Sequence, residues 1–341
     1  MIQITLEGSY YQIGLQVGKM LKGNLKLPEA APSRLEWASN CEKAMEQYTP
    51  GLLEELQGLA DGANLKREKL SGILLYEPFA IKRFVKNLPS TQRCTIFVIP
   101  GSQTATKQSI FARNYDWYTE ASDYFMINRL CPTGKVQSIL FTDHYVGGFG
   151  GISAAGLACG VTGMPFFNGQ FQPGILLNMM TRWILDSCHQ VEEAVAFLET
   201  APHCEGNLYM LADKAGTIAC VEACPNKVNT TYAQEDELLV ATNHFQTEEM
   251  QGLQREIPDT IEETTFTRLK GVKAWYNGQK RPIAIEAVKM ILKDHKNAVC
   301  DHERTGGTVW SWIAPLGANT VEVCVGQPCQ SEYRPYLIVG F

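Results

Sequence analysis

Cys94-Thr95-Ile96-Phe97-Val98-Ile99 is a β-branched and apolar run that ends at Pro100-Gly101. Such a run, closed by a turn pair, predicts a buried strand. Ser109-Ile110-Phe111-Ala112-Arg113-Asn114-Tyr115-Asp116-Trp117 follows at hairpin distance and predicts its partner strand. Upstream of Cys94 the chain changes character. Tyr11-Gln12-Ile13-Gly14-Leu15-Gln16-Val17-Gly18-Lys19-Met20-Leu21 spaces its apolar residues for a helix that follows a short first strand. Pro28, Pro32 and the Ala30-Ala31 step read as an interruption. Leu52, Leu56 and Leu59 fall on one face of a second helix.

Downstream, strand-like runs are expected at 136–141, 157–161, 208–212, 218–222 and 238–241, with later ones near 308–313, 320–325 and 336–339. Helical stretches are expected at 175–186, 191–198 and 283–292. A helical leader, strands, a helix pair and strands again make an α+β order with mainly antiparallel sheets, since no repeating βαβ series is present.

The chain has 341 residues, 45% hydrophobic and 19% charged, enough for a sizeable core. Its net charge of -6 and the lack of a long Lys/Arg run argue against nucleic acid or an anionic membrane as partner. The start, Met1-Ile2-Gln3-Ile4-Thr5-Leu6-Glu7-Gly8, does not resemble a secretory signal. No apolar run approaches the roughly 18 residues of a membrane span. The 11 cysteines are odd in number and scattered, which reads as reduced thiols in a cytoplasmic protein. Cys220 with Cys224, and Cys324 with Cys329, lack zinc-type spacing, so no metal or cofactor is expected. GxGxxG, GxxxxGK[ST] and HExxH patterns are absent from the sequence.

Four places could carry chemistry. Cys94 opens a strand behind the loop-like Asn87-Leu88-Pro89-Ser90-Thr91-Gln92-Arg93. Arg113 could favour the thiolate of a nearby thiol, and Asp116 could orient an amine or bind substrate. In a regular strand Arg113, Tyr115 and Trp117 share one face, so bringing Arg113 and Asp116 to one site needs a kink or an end between them. Asn243, in Ala241-Thr242-Asn243-His244-Phe245, could donate to an oxyanion. Arg268 lies in Thr264-Thr265-Phe266-Thr267-Arg268-Leu269, the start of a helix. Taken singly, these read more simply as a core thiol, a salt-bridged strand end, a turn and a capped helix.

Taken in order, they resemble the acyl-coenzyme A:6-aminopenicillanate acyltransferase-like peptidases, within the choloylglycine-hydrolase group of N-terminal-nucleophile enzymes. The likeness begins with Gly8-Ser9-Tyr10-Tyr11-Gln12-Ile13-Gly14 and Gly18. It continues through Glu55-Leu56-Gln57-Gly58-Leu59-Ala60-Asp61-Gly62-Ala63 with Glu77, Cys94-Thr95, Arg113-Asn114-Tyr115-Asp116 and Gly156-Leu157. It extends through Asn207, Ala212-Asp213 and Gly216, then Thr242-Asn243, Thr265-Phe266-Thr267-Arg268, Thr308-Val309-Trp310-Ser311 and Gly326-Gln327-Pro328.

The resemblance implies a four-layer αββα sandwich of two mainly antiparallel sheets, with residues 1–93 as a helical leader that is cleaved but retained and 94–341 as the core. It implies self-cleavage between Arg93 and Cys94. The new α-amine, with a pKa near 8, would then accept the thiol proton. Cys94 would attack an amide and form a thioester, Asn243 would donate to the oxyanion, and Asp116 would orient the amine or bind substrate. Arg113 would tune the thiol and Arg268 would complete the polar network. Tyr115 and Ser153 are candidate substrate-binding residues.

Two departures stand out. Arg93 occupies a position where penicillin acyltransferase relatives commonly carry a small residue, and it either hinders cleavage or sits in solvent. Ser153 stands where relatives often carry Asn. The expected activity is hydrolysis of a linear, non-peptide amide. Acyl transfer to or from an amine, with an acyl thioester such as acyl-coenzyme A, shares every step up to deacylation. An unprocessed, ligand-binding relative is a third reading. The expected partner is a small amide, with homo-oligomer formation left open.

Overall fold

The computed structural model describes residues 2–23, 29–75, 93–118, 125–257, 264–302 and 306–339. Glu77 and the loop at 87–92 lie outside them. The leader opens with β1 (Ile2–Gly8) and α1 (Tyr10–Leu21). Ser9 closes a capping box with Gln12, satisfying two otherwise orphaned amides at the helix start. Next come α2 (Pro32–Tyr48), α3 (Pro50–Ala63) and α4 (Arg67–Leu74). Pro32 does not break the chain as expected. It occupies the first turn of α2, where a missing N–H costs nothing. Leu52, Leu56 and Leu59 are fully buried, as the spacing predicts. Helices α1 and α3 touch backbone to backbone: a Cβ on Gly14 would stand 1.9 Å from the Glu55 carbonyl oxygen, and one on Gly58 2.0 Å from that of Tyr11.

The body follows as β2 (Arg93–Ile99), β3 (Ile110–Trp117), β4 (Met126–Pro132), β5 (Ser138–Thr142), β6 (Gly150–Ser153) and β7 (Leu157–Gly163). Then come α5 (Leu177–Ser187), α6 (Val191–Thr200), β8 (Asn207–Asp213), β9 (Ile218–Cys224), β10 (Lys227–Tyr232) and β11 (Leu239–Ala241). The chain continues with α7 (Glu248–Gln251), α8 (Thr265–Gly278), α9 (Ile285–Leu292), β12 (Gly307–Pro315), β13 (Thr320–Val325) and β14 (Tyr333–Leu337). The expected strands and helices are present with shifted ends, while β4, β6, β10, α2, α4 and α7 were not expected.

Eight strands form one sheet in the order β1-β4-β5-β6-β7-β8-β9-β10, and six form a second in the order β11-β2-β3-β12-β13-β14. Every pairing is antiparallel except β1 with β4. Alternate residues of β2 and β3 serve two cores. Cys94, Ile96, Val98, Phe111 and Tyr115 point between the sheets. Phe97, Ile99, Ile110 and Ala112 point outward against Val272 of α8 and Val288, Ile291 and Leu292 of α9. Helices α5 and α6 cover the other sheet. The layers are therefore α5/α6, large sheet, small sheet and α8/α9, the expected αββα sandwich. β2 is buried on both faces, which explains its unbroken apolar run.

Candidate active site

Cys94 pairs with Tyr115 and Arg93 with Asp116, so the β2–β3 ladder runs unbroken through the Arg93–Cys94 peptide. On the other side of β2, Ala241 pairs with Ile96 and β11 ends there. Asn243 thus stands opposite Cys94, one rung past the ladder, and side chains complete that rung. The Cys94 amide donates to Asn243 Oδ1 at 2.8 Å, and Arg268 Nη1 donates to the Cys94 carbonyl oxygen. Arg268 also reaches Asn243 Oδ1 at 2.9 Å, Thr95 Oγ1 at 3.2 Å and, through Nε, Thr264 Oγ1 at 3.0 Å.

The Asn243 amide is saturated. Its Nδ2 donates to Thr162 Oγ1 at 2.8 Å and to the Gly163 carbonyl at 2.9 Å, while Oδ1 takes the two bonds above. In this arrangement it holds the nitrogen of Cys94, the atom that would become an α-amine. Donation to an oxyanion requires an Nδ2 hydrogen to leave one of its present acceptors. Thr265 Oγ1 fixes the backbone by accepting from the Asn243 amide at 2.9 Å. His244 beside it is pushed down to about 4 by burial, then by Arg268 and Lys273, so its ring is neutral near pH 7.

Between the sheets, Arg113 Nη2 lies 3.6 Å from Cys94 Sγ. The same guanidinium donates to the Val161 carbonyl at 2.7 Å and to that of Phe149. Gly150 and Gly160 make room: a Cβ on either would come within 2.9 and 3.3 Å of Nη1. Burial raises the Cys94 thiol above its usual range, and the Arg113 charge pulls it back down. Tyr115 stacks on Trp310 at 3.8 Å, with Phe149 at 5.2 Å and Trp117 at 6.3 Å. An aromatic wall therefore adjoins the thiol.

Asp116 faces the other way. β3 stays regular, so Arg113 and Asp116 flank Cys94 from opposite faces of the sheet, and the irregularity lies in the neighbouring strand instead. The β12 register shifts between Thr308 and Trp310, setting Thr308 opposite Asp116 and Trp310 opposite Tyr115. Without that bulge Thr308 and Trp310 would share a face. Thr308 Oγ1 donates to Asp116 Oδ1 at 2.7 Å. Burial pushes the Asp116 carboxyl up to about 7, against the pull of Arg268, Thr308 and Arg93. Arg93 is not in solvent: it is 7% exposed and its Nη1 meets Asp301 Oδ2 at 2.9 Å.

The geometry brings Arg93, Cys94, Arg113, Asp116, Asn243 and Arg268 around one peptide bond, with Tyr115 beside them. It does not bring Ser153. That residue pairs with Ser138, four positions along the chain from the Phe149 carbonyl that Arg113 grips, or roughly 13 Å at strand rise. Thr162, Thr264, Thr265, Thr308 and Asp301 were not singled out from sequence. Only Thr264, Thr265 and Thr308 lay inside quoted motifs, and no local pattern marks Thr162 or Asp301. A recess lined by Pro100, Lys107, Lys214 and Asp236 sits at the far end of β2, roughly 20 Å from Cys94.

A model of the family described as acyl-coenzyme A:6-aminopenicillanic acid acyl-transferase matches residues 103–330. No curated protein sequence matches the chain. Among solved structures, a mutant of the conjugated bile acid hydrolase from Clostridium perfringens aligns at 15% identity and TM-score 0.50, over 71% of this chain and 96% of that one. The Caenorhabditis elegans ortholog of N-acylethanolamine-hydrolyzing acid amidase aligns at 16% identity and TM-score 0.50, over 66% of this chain and 94% of its own. At such identities the likeness concerns the fold, and the fold is the one the motifs imply.

Proposed function

Since the chain belongs to the acyl-coenzyme A:6-aminopenicillanic acid acyl-transferase family, we propose that it is a thiol amidohydrolase that acts on linear N-acyl amides after cutting itself before Cys94. One observation carries this reading: the side-chain rung at Cys94, where Asn243 holds the backbone nitrogen while Arg113 faces the sulfur. In self-cleavage, Sγ attacks the Arg93 carbonyl carbon, the thiol proton passes to the Cys94 nitrogen, and the C–N bond breaks to leave a thioester. Water then releases an Arg93 carboxylate, a free thiol and an α-amine. The amine has a pKa near 8 and accepts the thiol proton in each later turnover. Asn243 Oδ1 keeps the amine oriented, and Asn243 Nδ2 turns to the oxyanion.

Cys94 is 5% exposed in the continuous chain, so substrate entry requires the 93 and 94 ends to part. The aromatic wall of Tyr115, Trp310 and Phe149 suits an apolar acyl group. Residues 1–93 remain bound as a leader, and a reducing, cytoplasmic setting suits the thiol. Acyl transfer is the second reading, favoured by the family description, and it differs only in what resolves the thioester.

Intact mass spectrometry of wild type beside Cys94→Ala tests the proposal. Two fragments meeting at Cys94 in wild type and one chain in the variant are expected. An intact yet fully active wild type would remove the α-amine role. Incubation with an acyl thioester and amine acceptors separates the two readings, because amide formation in excess of hydrolysis would replace the hydrolase by a transferase.

A further inference from the structure

Away from Cys94, the loop after α9 and the turn after β13 bring four metal-type donors together. His295, Cys300, His302 and Cys329 each present one ligand atom, all within 4.8 Å of one another. Local geometry accounts for the convergence. The Asp294 carboxylate accepts from the amides of Lys296 at 3.0 Å and Asn297 at 3.2 Å, and Ala298 turns at φ 53. The Cys300 amide then returns to the Asp294 carbonyl at 3.0 Å. This folds residues 295, 300 and 302 around one point. Cys329 arrives from the β13–β14 connection, where Gly326 turns at φ 86 and the Gln330 and Ser331 amides both reach the Gln327 carbonyl at 3.0 Å.

We infer that these four residues hold a tetrahedral divalent ion of zinc type, as a structural centre. Two thiolates and two neutral imidazoles form a closed donor set with no open position, the pattern of structural rather than catalytic sites. Two thiolate charges cancel the ion, so its partial burial carries no net charge. Bonds of about 2.0–2.3 Å place tetrahedral ligands roughly 3.3–3.8 Å apart, so no pair in the cluster closes by more than about 1.5 Å. Each cysteine releases its thiol proton on ligation. Packing alone does not account for the group, because two imidazoles beside two thiols offer little apolar contact. The rings of His295 and His302 meet edge to face at 4.7 Å.

The ion would clamp the backbone on both sides of Asp301. That residue accepts Arg93 through its carboxylate and the Thr308 amide through its carbonyl at 2.7 Å, and Thr308 in turn serves Asp116. The clamp therefore reaches the residue before Cys94. This last link rests on the proposed function, whereas the metal assignment stands on its own.

The test is metal content of the full chain purified reduced and without chelator. Close to one zinc per chain is expected. After chelation, added Co2+ should give the visible spectrum of a tetrahedral thiolate-bound ion. His295→Ala, at the exposed ligand, and Cys329→Ser should both lose stoichiometric metal, while Cys131→Ser, outside the cluster, keeps it. Wild type that neither retains Zn2+ nor binds Co2+ would overturn the assignment. So would variants that hold metal as well as wild type, or a native Cys300–Cys329 disulfide seen as a mass two hydrogens light. An inactive protein with full metal content would count against the reading of Cys94 and leave the metal site standing.

Discussion

Arg182 and Arg113 are equally hidden, each 1% exposed, but their charges are met differently. Arg182 on α5 lies between two carboxylates, Asp186 at 2.7 Å and Glu55 of the leader at 3.2 Å, and Tyr10 of α1 donates to Asp186 at 3.0 Å. Its charge is spent on fastening the leader to the body. Arg113 has no carboxylate partner among the described residues. Carbonyl oxygens and the Cys94 sulfur surround it, so its positive potential stays available to a thiolate. In one cluster the cation is met by carboxylates and fixed, and in the other it favours a negative charge that appears only when the thiol ionises.

Four substitutions probe that contrast. Cys94→Ala should have the largest effect, lowering kcat/KM for any amide substrate by at least about 10^4-fold in a variant that stays folded. Residual activity near wild type would make the thiol-facing cluster structural, like the other. Arg182→Met should act on stability instead. Orphaning Glu55 and Asp186 costs about 3–5 kcal/mol, read as a lower urea midpoint, while turnover per folded molecule holds. A stable but inactive variant would erase the distinction from the opposite side.

Arg113→Met removes the charge that opposes burial at Cys94. The thiol pKa rises further, so the acid limb of the kcat/KM profile should move upward in pH, with activity near pH 7 down roughly 10^2-fold. An unmoved limb would mean that Arg113 only braces Phe149 and Val161. Asp116→Asn should give the smallest change. The folded value of Asp116, about 7, lies above the unfolded carboxyl value, so ionisation favours the unfolded chain. The stability associated with its protonated form is full below about pH 4 and is lost as pH rises through 7. The variant should abolish a fall on the order of 2 kcal/mol between pH 5 and pH 7, seen in urea titrations at both values.

Much of this was legible from residue order. The β2–β3 hairpin announces itself because both strands are apolar and bounded by turn residues, and α3 because Leu52, Leu56 and Leu59 repeat at helical spacing. Cys94, Arg113, Asp116, Asn243 and Arg268 could be nominated because each sits in a short motif. Partners across the chain could not be. Asp301 is 208 positions from Arg93, and only the fold reveals that this pair buries a cation beside Cys94. The strand β4 was missed because Asn128 and Arg129 interrupt its apolar run, although it has neighbours on both sides. The meeting of Thr308 with Asp116 depends on a bulge in β12, which local composition does not mark. The His295, Cys300, His302 and Cys329 group escaped notice because its members come from two loops, and no CxxC spacing joins them.

The leader is woven into the body at three levels: β1 lies along β4 as the edge of the large sheet, α1 and α3 interlock through glycines, and Glu55 reaches Arg182. A chain cut before Cys94 would therefore become a two-piece molecule with one shared fold. Its unfolding would separate the pieces, and renaturation would become a bimolecular encounter. Recovery of the native fold after denaturation, read by intrinsic tryptophan fluorescence, should then fall on dilution for cut protein and stay concentration-independent for the uncut Cys94→Ala chain. Maturation would thus leave the working enzyme dependent on a conformation that it reached while still a single chain.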